Sequence, residues 1–198
     1  MALMVINAGF DGTGTQALAQ ALDRLGLGPC LDLAAFRARA QHLDAWEEAA
    51  NGGVVDWNAV LDGHPSVSGW PCCHFWRGLT ASWPAARVIL TVREPQSWYG
   101  TASATVFASL RDPPKGGSAA AWQLLRKIIL QQTFGGSTDD PALAIETLQM
   151  HEREVEQAIP AERLLVYETS QGWEPLCRFL GATPPGGPFP EDGATGQA

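Results

Sequence analysis

Short apolar runs alternate with segments of helical periodicity along most of the chain. Apolar runs bounded by turn residues predict strands at 3–8, 30–33, 66–68, 87–92 and 163–167. Helical spacing and stop signals predict helices over 15–25, 34–50, 74–82, 119–132, 141–159 and 173–180, with another that begins near Gln96. Strands that alternate with helices pair in parallel through right-handed crossovers. The pattern therefore predicts an α/β fold with three layers, α/β/α, around a mostly parallel central sheet.

Capping signals mark the ends of two of these helices. Thr13 or Thr15 is predicted to cap the first helix, and Asp139 or Asp140 is predicted to cap the long helix near the C-terminal end. The segment after Phe189 is rich in Gly and Pro, so we predict that it is frayed.

Composition narrows the class of protein. With 198 residues, 45% of them hydrophobic, the chain has enough apolar material for one substantial core, and we expect 1–198 to form a single domain. A net charge of −8 argues against a nucleic-acid partner, because such proteins need a basic face. The first residues lack the positive region of a secretory signal, and no run approaches the roughly 18 apolar residues of a membrane span. The four cysteines lack C-x-x-C spacing and disulfide-scaffold density, so we expect a cytoplasmic protein without a membrane partner.

The segment 9–15, Gly-Phe-Asp-Gly-Thr-Gly-Thr, lies directly after the first predicted strand and directly before a helix. Its glycines allow successive N–H groups to face inward, and the helix adds the positive end of its dipole, so the segment predicts a phosphate or sulfate site. The alternative is an ordinary tight turn. The G-K-[ST] ending of a Walker motif is absent, which argues against ATP or GTP hydrolysis.

Two further ligand types fit the residues less well. Asp32 lies 18 residues beyond Gly14, as a ribose-binding acid of a dinucleotide site does, but the spacing G-x-x-G-x-G is the reverse of the dinucleotide fingerprint and fits less well. Cys72, Cys73 and His74 are adjacent, but vicinal cysteines have poor ligand geometry and the sequence offers no second pair, so no metal site is predicted.

The predicted site lies at one edge of the sheet. The segments 9–15, 69–71 and 93–95 each follow a predicted strand. Because the carboxyl ends of parallel strands meet at one edge, we expect all three segments to open onto one cleft.

Three segments carry a family resemblance. They are 9–15, the stretch 88–99 (Val-Ile-Leu-Thr-Val-Arg-Glu-Pro-Gln-Ser-Trp-Tyr) and the stretch 172–181 (Gly-Trp-Glu-Pro-Leu-Cys-Arg-Phe-Leu-Gly). In this order they resemble the P-loop-type sulfotransferase family, in its small bacterial and eukaryotic branch. The resemblance implies the P-loop NTPase-like sulfotransferase fold, with an added helical region on the acceptor side, between about 101 and 148.

The resemblance also implies a donor, 3′-phosphoadenosine 5′-phosphosulfate, and a small-molecule hydroxyl or amine as acceptor. By carry-over, the 5′-phosphosulfate is expected in the first loop, at Asp11, Gly12, Thr13, Gly14 and Thr15. Arg93 is expected to pair with the 3′-phosphate, with Thr101 where the family usually has a serine. A guanidinium fork suits phosphate oxygens, although a structural ion pair of Arg93 with Glu94 or a helix carboxylate is the alternative.

The chain departs from the family pattern at two positions. Similar proteins generally have G-F-G-R-T-G-T in the first loop, and Gly12 stands where their basic residue stabilises charge. Gly69 stands where the family tends to place an acid or a histidine that takes the acceptor proton, and His74 is the nearest substitute as a catalytic base. The alternative for His74 is a surface or core histidine.

Three classes of function stay open on the sequence. The first is an active sulfotransferase, and the second is a catalytically degenerate protein that still binds the nucleotide. The third is a repurposed enzyme, of which an NAD(P)-binding oxidoreductase that depends on Asp32 is one version.

Overall fold

A five-stranded, all-parallel sheet forms the centre of the molecule. The computed structural model describes residues 3–38, 42–113 and 118–192. The strands are ordered β2-β3-β1-β4-β5, and every pairing between neighbours is parallel. They are β1 (Val5–Asn7), β2 (Cys30–Leu31), β3 (Ser66–Ser68), β4 (Arg87–Thr91) and β5 (Leu164–Tyr167). Each strand lies within a predicted run, and the predicted α/β class is confirmed.

Helices connect the strands. In the described ranges they are α1 (Thr15–Arg24), α2 (Leu33–Ala38), α3 (Leu43–Ala50), α4 (Trp57–Val60), α5 (Trp76–Ser82), α6 (Pro95–Ala102), α7 (Ala119–Arg126), α8 (Pro141–Ala158) and α9 (Trp173–Leu180). The π-helical segments Ser103–Phe107 and Lys127–Thr133 continue α6 and α7, and a 3₁₀ turn spans Thr169–Gln171. None of the helices in these ranges has both the length and the apolar character needed to cross a membrane.

Helices cover both faces of the sheet. On one face, Leu18 and Leu22 of α1 and Leu176 of α9 pack in a cluster with Val5 and Ile89. On the other face, Trp76 of α5 and Val155 of α8 pack with Val88 and Leu90 of β4. Ile6 and Val67 join a larger cluster that extends into the helical region, including α3 and α7. Successive strand residues face opposite layers, so both faces are apolar and the sheet is buried between them.

The strand order places the loop after β1 at a switch point of the sheet. β1 lies between β3 and β4, and the chain moves to opposite sides of β1 to reach these two neighbours. Ligands of open α/β sheets bind outside the carboxyl ends of the strands at such a point. The fold therefore predicts that a ligand binds at the segments that follow β1, β3 and β4.

Candidate functional site

One buried side chain ties the carboxyl ends of the three central strands together. Asn7 Nδ2 donates to Ser68 Oγ at 2.9 Å, and Asn7 Oδ1 accepts from the N–H of Gly9 at 3.0 Å. The same oxygen accepts from the backbone N–H and the hydroxyl of Thr91, at 3.3 and 3.2 Å. A buried amide with satisfied donors and acceptors fixes its neighbours, so the three loops start from a rigid base.

The first loop lies against β4 in a way that requires glycine. A Cβ on Gly9 would stand 2.0 Å from Thr91 Oγ1 and 2.6 Å from the Thr91 carbonyl oxygen. Thr13 Oγ1 lies 2.6 Å from the same Thr91 hydroxyl and donates to the Phe10 carbonyl oxygen at 2.7 Å. Thr13 is buried, so its side chain holds the loop in shape.

Helix α1 begins from a left-handed glycine. Gly14 is its N-cap with φ of 104°, and because glycine has no side chain the N-cap residue accepts no hydrogen bond from the first turn. The prediction that Thr13 or Thr15 caps α1 is wrong, because Gly14 occupies the N-cap position and Thr15 is already the first residue of the helix. Thr15 Oγ1 donates instead to Asp11 Oδ1 at 2.8 Å. The first-turn N–H groups of a helix without a side-chain cap are available to an anion.

An anion of the chain itself lies at this helix end. Asp192 Oδ1 accepts from the N–H of Ala17, in the first turn of α1, at 3.1 Å. Asp192 Oδ2 pairs with Arg93 Nη2, also at 3.1 Å. Arg93 Nη1 donates to Thr101 Oγ1 at 3.1 Å. The structure thus brings the predicted residues Arg93 and Thr101 together. Arg93 and the N-terminus of α1 both bind the Asp192 carboxylate.

Arg93 does not pair with Glu94, which was one alternative for its role. The Glu94 carboxylate instead caps α6 by accepting from the N–H groups of Gln96 and Ser97 at 2.9 and 2.7 Å, and these bonds lower its pKa. Phe189 packs on Trp173 and Asp192 bonds to Ala17, and the fraying expected after Phe189 stays a prediction. Residues 193–198 lie outside the described ranges.

Asp11 turns away from the centre of the loop and toward the segment after β3. Its Oδ2 accepts from the N–H of Trp70 at 2.8 Å, and its backbone carbonyl accepts from Trp98 Nε1 at 3.0 Å. Burial raises the pKa of Asp11 to about 6, and the two hydrogen bonds from Trp70 and Thr15 oppose this shift. The carboxylate is held in place and is easier to protonate than an exposed aspartate.

A cavity of about 440 Å³ opens beside this loop. Predicted site residues line it, namely Asp11, Gly12, Thr15 and Thr101, together with Asp32, Arg37, Ser109 and Asp192. Arg37 Nη2 donates to Ser109 Oγ at 2.6 Å, which joins α2 to the region after the first π-helical segment. Arg37 therefore supplies a positive charge to the cavity in which Gly12 stands where similar proteins have a basic residue.

The sequence reasoning missed Arg37 and Asp192. A signal for Arg37 was present, because α2 follows β2 and the carboxyl end of β2 lies at the same sheet edge as the other loops. Asp192 carried no comparable signal, since it lies in a Gly- and Pro-rich segment far along the chain from α1.

His74 lies in a different cavity, of about 280 Å³. Its Nδ1 is 3.1 Å from Thr133 Oγ1, and burial lowers its pKa. His151 lines the same cavity, stacks on Phe10 with ring centroids 4.1 Å apart, and bonds the Ala8 carbonyl oxygen through Nε2 at 2.7 Å. Burial lowers the pKa of His151 to about 4. The structure therefore places His74 in a cavity with Phe10 of the loop, but not in the cavity lined by Asp11, Gly12, Thr15 and Thr101.

The residues present fit an anionic group such as a phosphate at the first site. A carboxylate of the chain is held there by two donors from separate elements, and Arg37 adds a cation to the same cavity. Among the described residues no group of His, Cys, Asp or Glu is placed to hold a metal ion.

Comparison with known proteins agrees with this geometry. A family model for the sulfotransferase domain matches residues 4–197. The chain is also similar to Ava biosynthesis cluster protein M of Aspergillus versicolor, with 32% identity over 95% of this chain and 80% of that protein. The parallel sheet, the glycine loop at its switch point and these two matches together show that the chain belongs to the sulfotransferase family.

Proposed function

We propose that the protein transfers a sulfuryl group from 3′-phosphoadenosine 5′-phosphosulfate to a hydroxyl or amine of a small molecule. The observation that carries this proposal is the pair of contacts made by Asp192. Its carboxylate receives one hydrogen bond from the N-terminal turn of α1 and one ion pair from Arg93. Carboxylates and phosphates accept from the same guanidinium and helix-end N–H groups, so Arg93 and the α1 N-terminus supply hydrogen-bond donors of the kind that the two phosphates of the nucleotide require.

Each side of the cavity has a distinct part in this proposal. The donor, when bound, supplies an activated sulfuryl group. Arg93 and Thr101 hold one phosphate, the α1 N-terminus holds the other, and Arg37 offsets negative charge where Gly12 cannot. Thr13 acts through its bonds to Phe10 and Thr91, as a positioning residue for the loop.

Three features support a small-molecule acceptor. The cavity is of ligand size and is lined on its other side by α2 and the π-helical segment Ser103–Phe107. The net charge of −8 disfavours a nucleic acid. The similar protein from Aspergillus versicolor is named for a biosynthesis cluster, which accords with a role in making a small molecule.

Calorimetric titration with adenosine 3′,5′-bisphosphate, the desulfated donor, tests the proposal. We expect saturable binding to the wild-type chain and a loss of affinity of about tenfold or more in Arg93→Ala, because charge-assisted hydrogen bonds to phosphate contribute roughly 1.5–3 kcal/mol. Arg178→Ala is the matched control, since Arg178 is exposed and pairs within α9 with Glu174. Absence of binding, or equal binding by Arg93→Ala, would contradict the proposal.

A degenerate nucleotide-binding protein is the second candidate, and Gly12 and Gly69 are the observations that favour it. It predicts the same titration result without turnover of radiolabelled donor. The oxidoreductase alternative has no comparable support, because Asp32 Oδ1 accepts from the N–H of Ala35 at 2.8 Å and so caps α2. Binding of a nicotinamide nucleotide that is lost in Asp32→Ala would revive it.

A further inference from the structure

The space that a side chain at position 69 would occupy is filled from the opposite loop. A Cβ built on Gly69 would stand 2.7 Å from Asp11 Oδ2 and 3.0 Å from Asp11 Oδ1. The first distance is shorter than real Cβ atoms show and the second is tight, so a side chain at 69 would require the Asp11 carboxylate to move. The chain has a carboxylate at this point of the cleft, although it comes from β1 and not from β3.

We propose that Asp11 is the general base of the reaction, in the place of the acid or histidine that position 69 lacks. This inference rests on the proposed sulfuryl transfer. It also accounts for Gly69, because the Asp11 carboxylate occupies the space that a side chain at position 69 would need. The two departures from the family pattern, at 11–12 and at 69, then belong to one rearrangement of the cleft.

The contacts of Asp11 suit a base. Thr15 Oγ1 and the N–H of Trp70 each donate to one carboxylate oxygen, and the Trp98 indole holds the backbone of the same residue. Each oxygen accepts one hydrogen bond in these contacts and retains acceptor capacity, and the residue lines the cavity. The carboxylate is thus fixed in orientation and still open to a ligand, as a general base must be.

The charges that face Asp11 come from several elements. Asp32, at the start of α2, raises its pKa and Arg37 of α2 lowers it, although burial has the largest effect. Asp192 lines the same cavity. Cys72 and Cys73 are close enough to interact with the Asp11 carboxylate, and burial raises the pKa of both thiols well above the usual value, so they are neutral. A carboxylate with a pKa of about 6 is ionised at pH 7 and is a stronger base than an exposed one.

The proton and the electrons balance in the proposed step. The acceptor oxygen forms a bond to sulfur while its O–H proton passes to an Asp11 oxygen. The bond between sulfur and the bridging phosphate oxygen breaks, and that oxygen keeps the electron pair in the bisphosphate product. Asp11 then returns the proton to solvent through the cavity. An amine acceptor loses its proton to Asp11 in the same way.

His74 is the competing candidate for the base, and the two are separated by their cavities. His74 lies with Thr133 and His151, whereas Asp11 lies with the loop and the α1 N-terminus. Phe10 is the loop residue that lines the cavity of His74, and the His151 ring stacks on it. Variants at the two residues therefore distinguish the two assignments.

The test is a residue swap assayed with radiolabelled donor and with phenol, benzyl alcohol and aniline as probe acceptors. Asp11→Asn is expected to lower kcat by about 10²-fold or more, as loss of a general base does. Gly69→Asp alone is expected to lower the melting temperature, because Gly69 has a positive φ of 70° that side chains rarely adopt and because the new side chain meets the Asp11 carboxylate. Asp11→Gly combined with Gly69→Asp removes the second of these conflicts and is expected to recover part of the rate lost in Asp11→Gly. An unchanged rate in Asp11→Asn, or loss of rate in His74→Ala alone, overturns the proposal.

A second readout does not depend on turnover. Bisphosphate binding is titrated between pH 6 and pH 7.5 in buffers of different ionisation enthalpy, which gives the number of protons taken up. An anion near Asp11 raises its pKa, so the wild-type chain is expected to take up more protons than Asp11→Asn, with Asp32→Asn as the control that removes a carboxylate from the same cavity. Equal proton uptake by wild type and Asp11→Asn overturns the proposal.

Binding and transfer assays together distinguish failure of the proposed function from failure of the proposed role of Asp11. If the wild-type chain does not bind the bisphosphate, the proposed function fails. If it binds the bisphosphate but transfers sulfate to none of the probe acceptors, the nucleotide site stands and the role of Asp11 as a base is refuted.

Discussion

At the scale of single residues, burial of the Asp11 carboxylate lowers the free energy of unfolding at neutral pH. Asp11 is largely removed from water, and burial raises its pKa from 3.8 to about 6. The folded chain therefore binds a proton more tightly at this position than the unfolded chain does. Because the unfolded chain releases this proton first as pH rises, the free energy of unfolding falls between about pH 4 and pH 6 and stays lower above it.

Asp11→Asn is predicted to stabilise the protein at neutral pH. The full effect of the shift is roughly 3 kcal/mol, of which about 1 kcal/mol develops between pH 5 and pH 7. We therefore expect the stability gained by Asp11→Asn to be larger at pH 7 than at pH 5 by about that amount, as measured by urea unfolding at both values. The same variant is expected to lose transfer activity, so stability and function oppose each other at this residue.

The control for this prediction is Asp32→Asn, which removes one negative charge from the same cavity and leaves an amide oxygen to cap α2. A gain in stability that is equal at pH 5 and pH 7 for Asp11→Asn, or that Asp32→Asn reproduces, would show that general charge repulsion and not burial of Asp11 is responsible.

At the scale of elements, the start of α1 depends on a glycine for two separate reasons. Gly14 has φ of 104°, which side chains other than glycine rarely adopt, and a Cβ there would stand 2.5 Å from Thr169 Cγ2. Thr169 lies in the 3₁₀ turn after β5, so this contact joins the first loop to the far end of the sheet. A change at Gly14 therefore displaces both elements.

Gly14→Ala is predicted to destabilise the protein by more than its backbone conformation alone explains. Gly52 gives a matched control, because it also has positive φ, of 81°, but nothing lies within 4 Å of its added Cβ. We expect Gly52→Ala to cost about 1 kcal/mol and Gly14→Ala about 2–3 kcal/mol or more in urea unfolding. Equal losses of unfolding free energy in the two variants would mean that Thr169 moves away from the new Cβ without destabilising the protein.

The sequence predicted the strands well because each is a short apolar run with turn residues at its ends. The helix expected over 34–50 is instead two helices, α2 and α3, and His42 at the start of α3 has a left-handed φ of 61°; residues 39–41 lie outside the described ranges. The predicted helix 119–132 changes to π-helical geometry at Lys127. The periodicity of the sequence shows which residues are apolar and so predicts that a segment is helical. Tertiary packing decides where a helix ends or where its backbone hydrogen bonds change from α-helical to π-helical.

At the scale of the whole molecule, the parts of the site that the sequence predicted are those close to strand ends. Arg93 and Thr101 are eight residues apart on one connection, so their contact follows from local geometry. The contact between Ala17 and Asp192 spans 175 residues and depends on how the segment after α9 returns across the sheet. No local pattern specifies such a path, so the sequence contains no indication of the contact.

That long-range contact leads to a prediction about affinity. The Asp192 carboxylate occupies donors that a phosphate of the nucleotide needs, so it has to leave before the nucleotide binds. Apparent affinity is reduced by the fraction of molecules in which the site is open. The Arg93–Asp192 pair is partly exposed, with 30% of each side chain accessible, and pairs of this kind contribute up to about 1 kcal/mol.

Asp192→Asn is therefore predicted to bind adenosine 3′,5′-bisphosphate about two- to fivefold more tightly than the wild-type chain in calorimetric titration. The gain is expected to shrink at high salt, since ions screen the attraction between Arg93 and Asp192. Glu191→Gln makes the same change of charge at the neighbouring exposed residue and is expected to leave the affinity close to wild type. Weaker binding by Asp192→Asn would instead mean that Asp192 holds Arg93 in the orientation the nucleotide needs, and the carboxylate would then be part of the site and not a competitor for it.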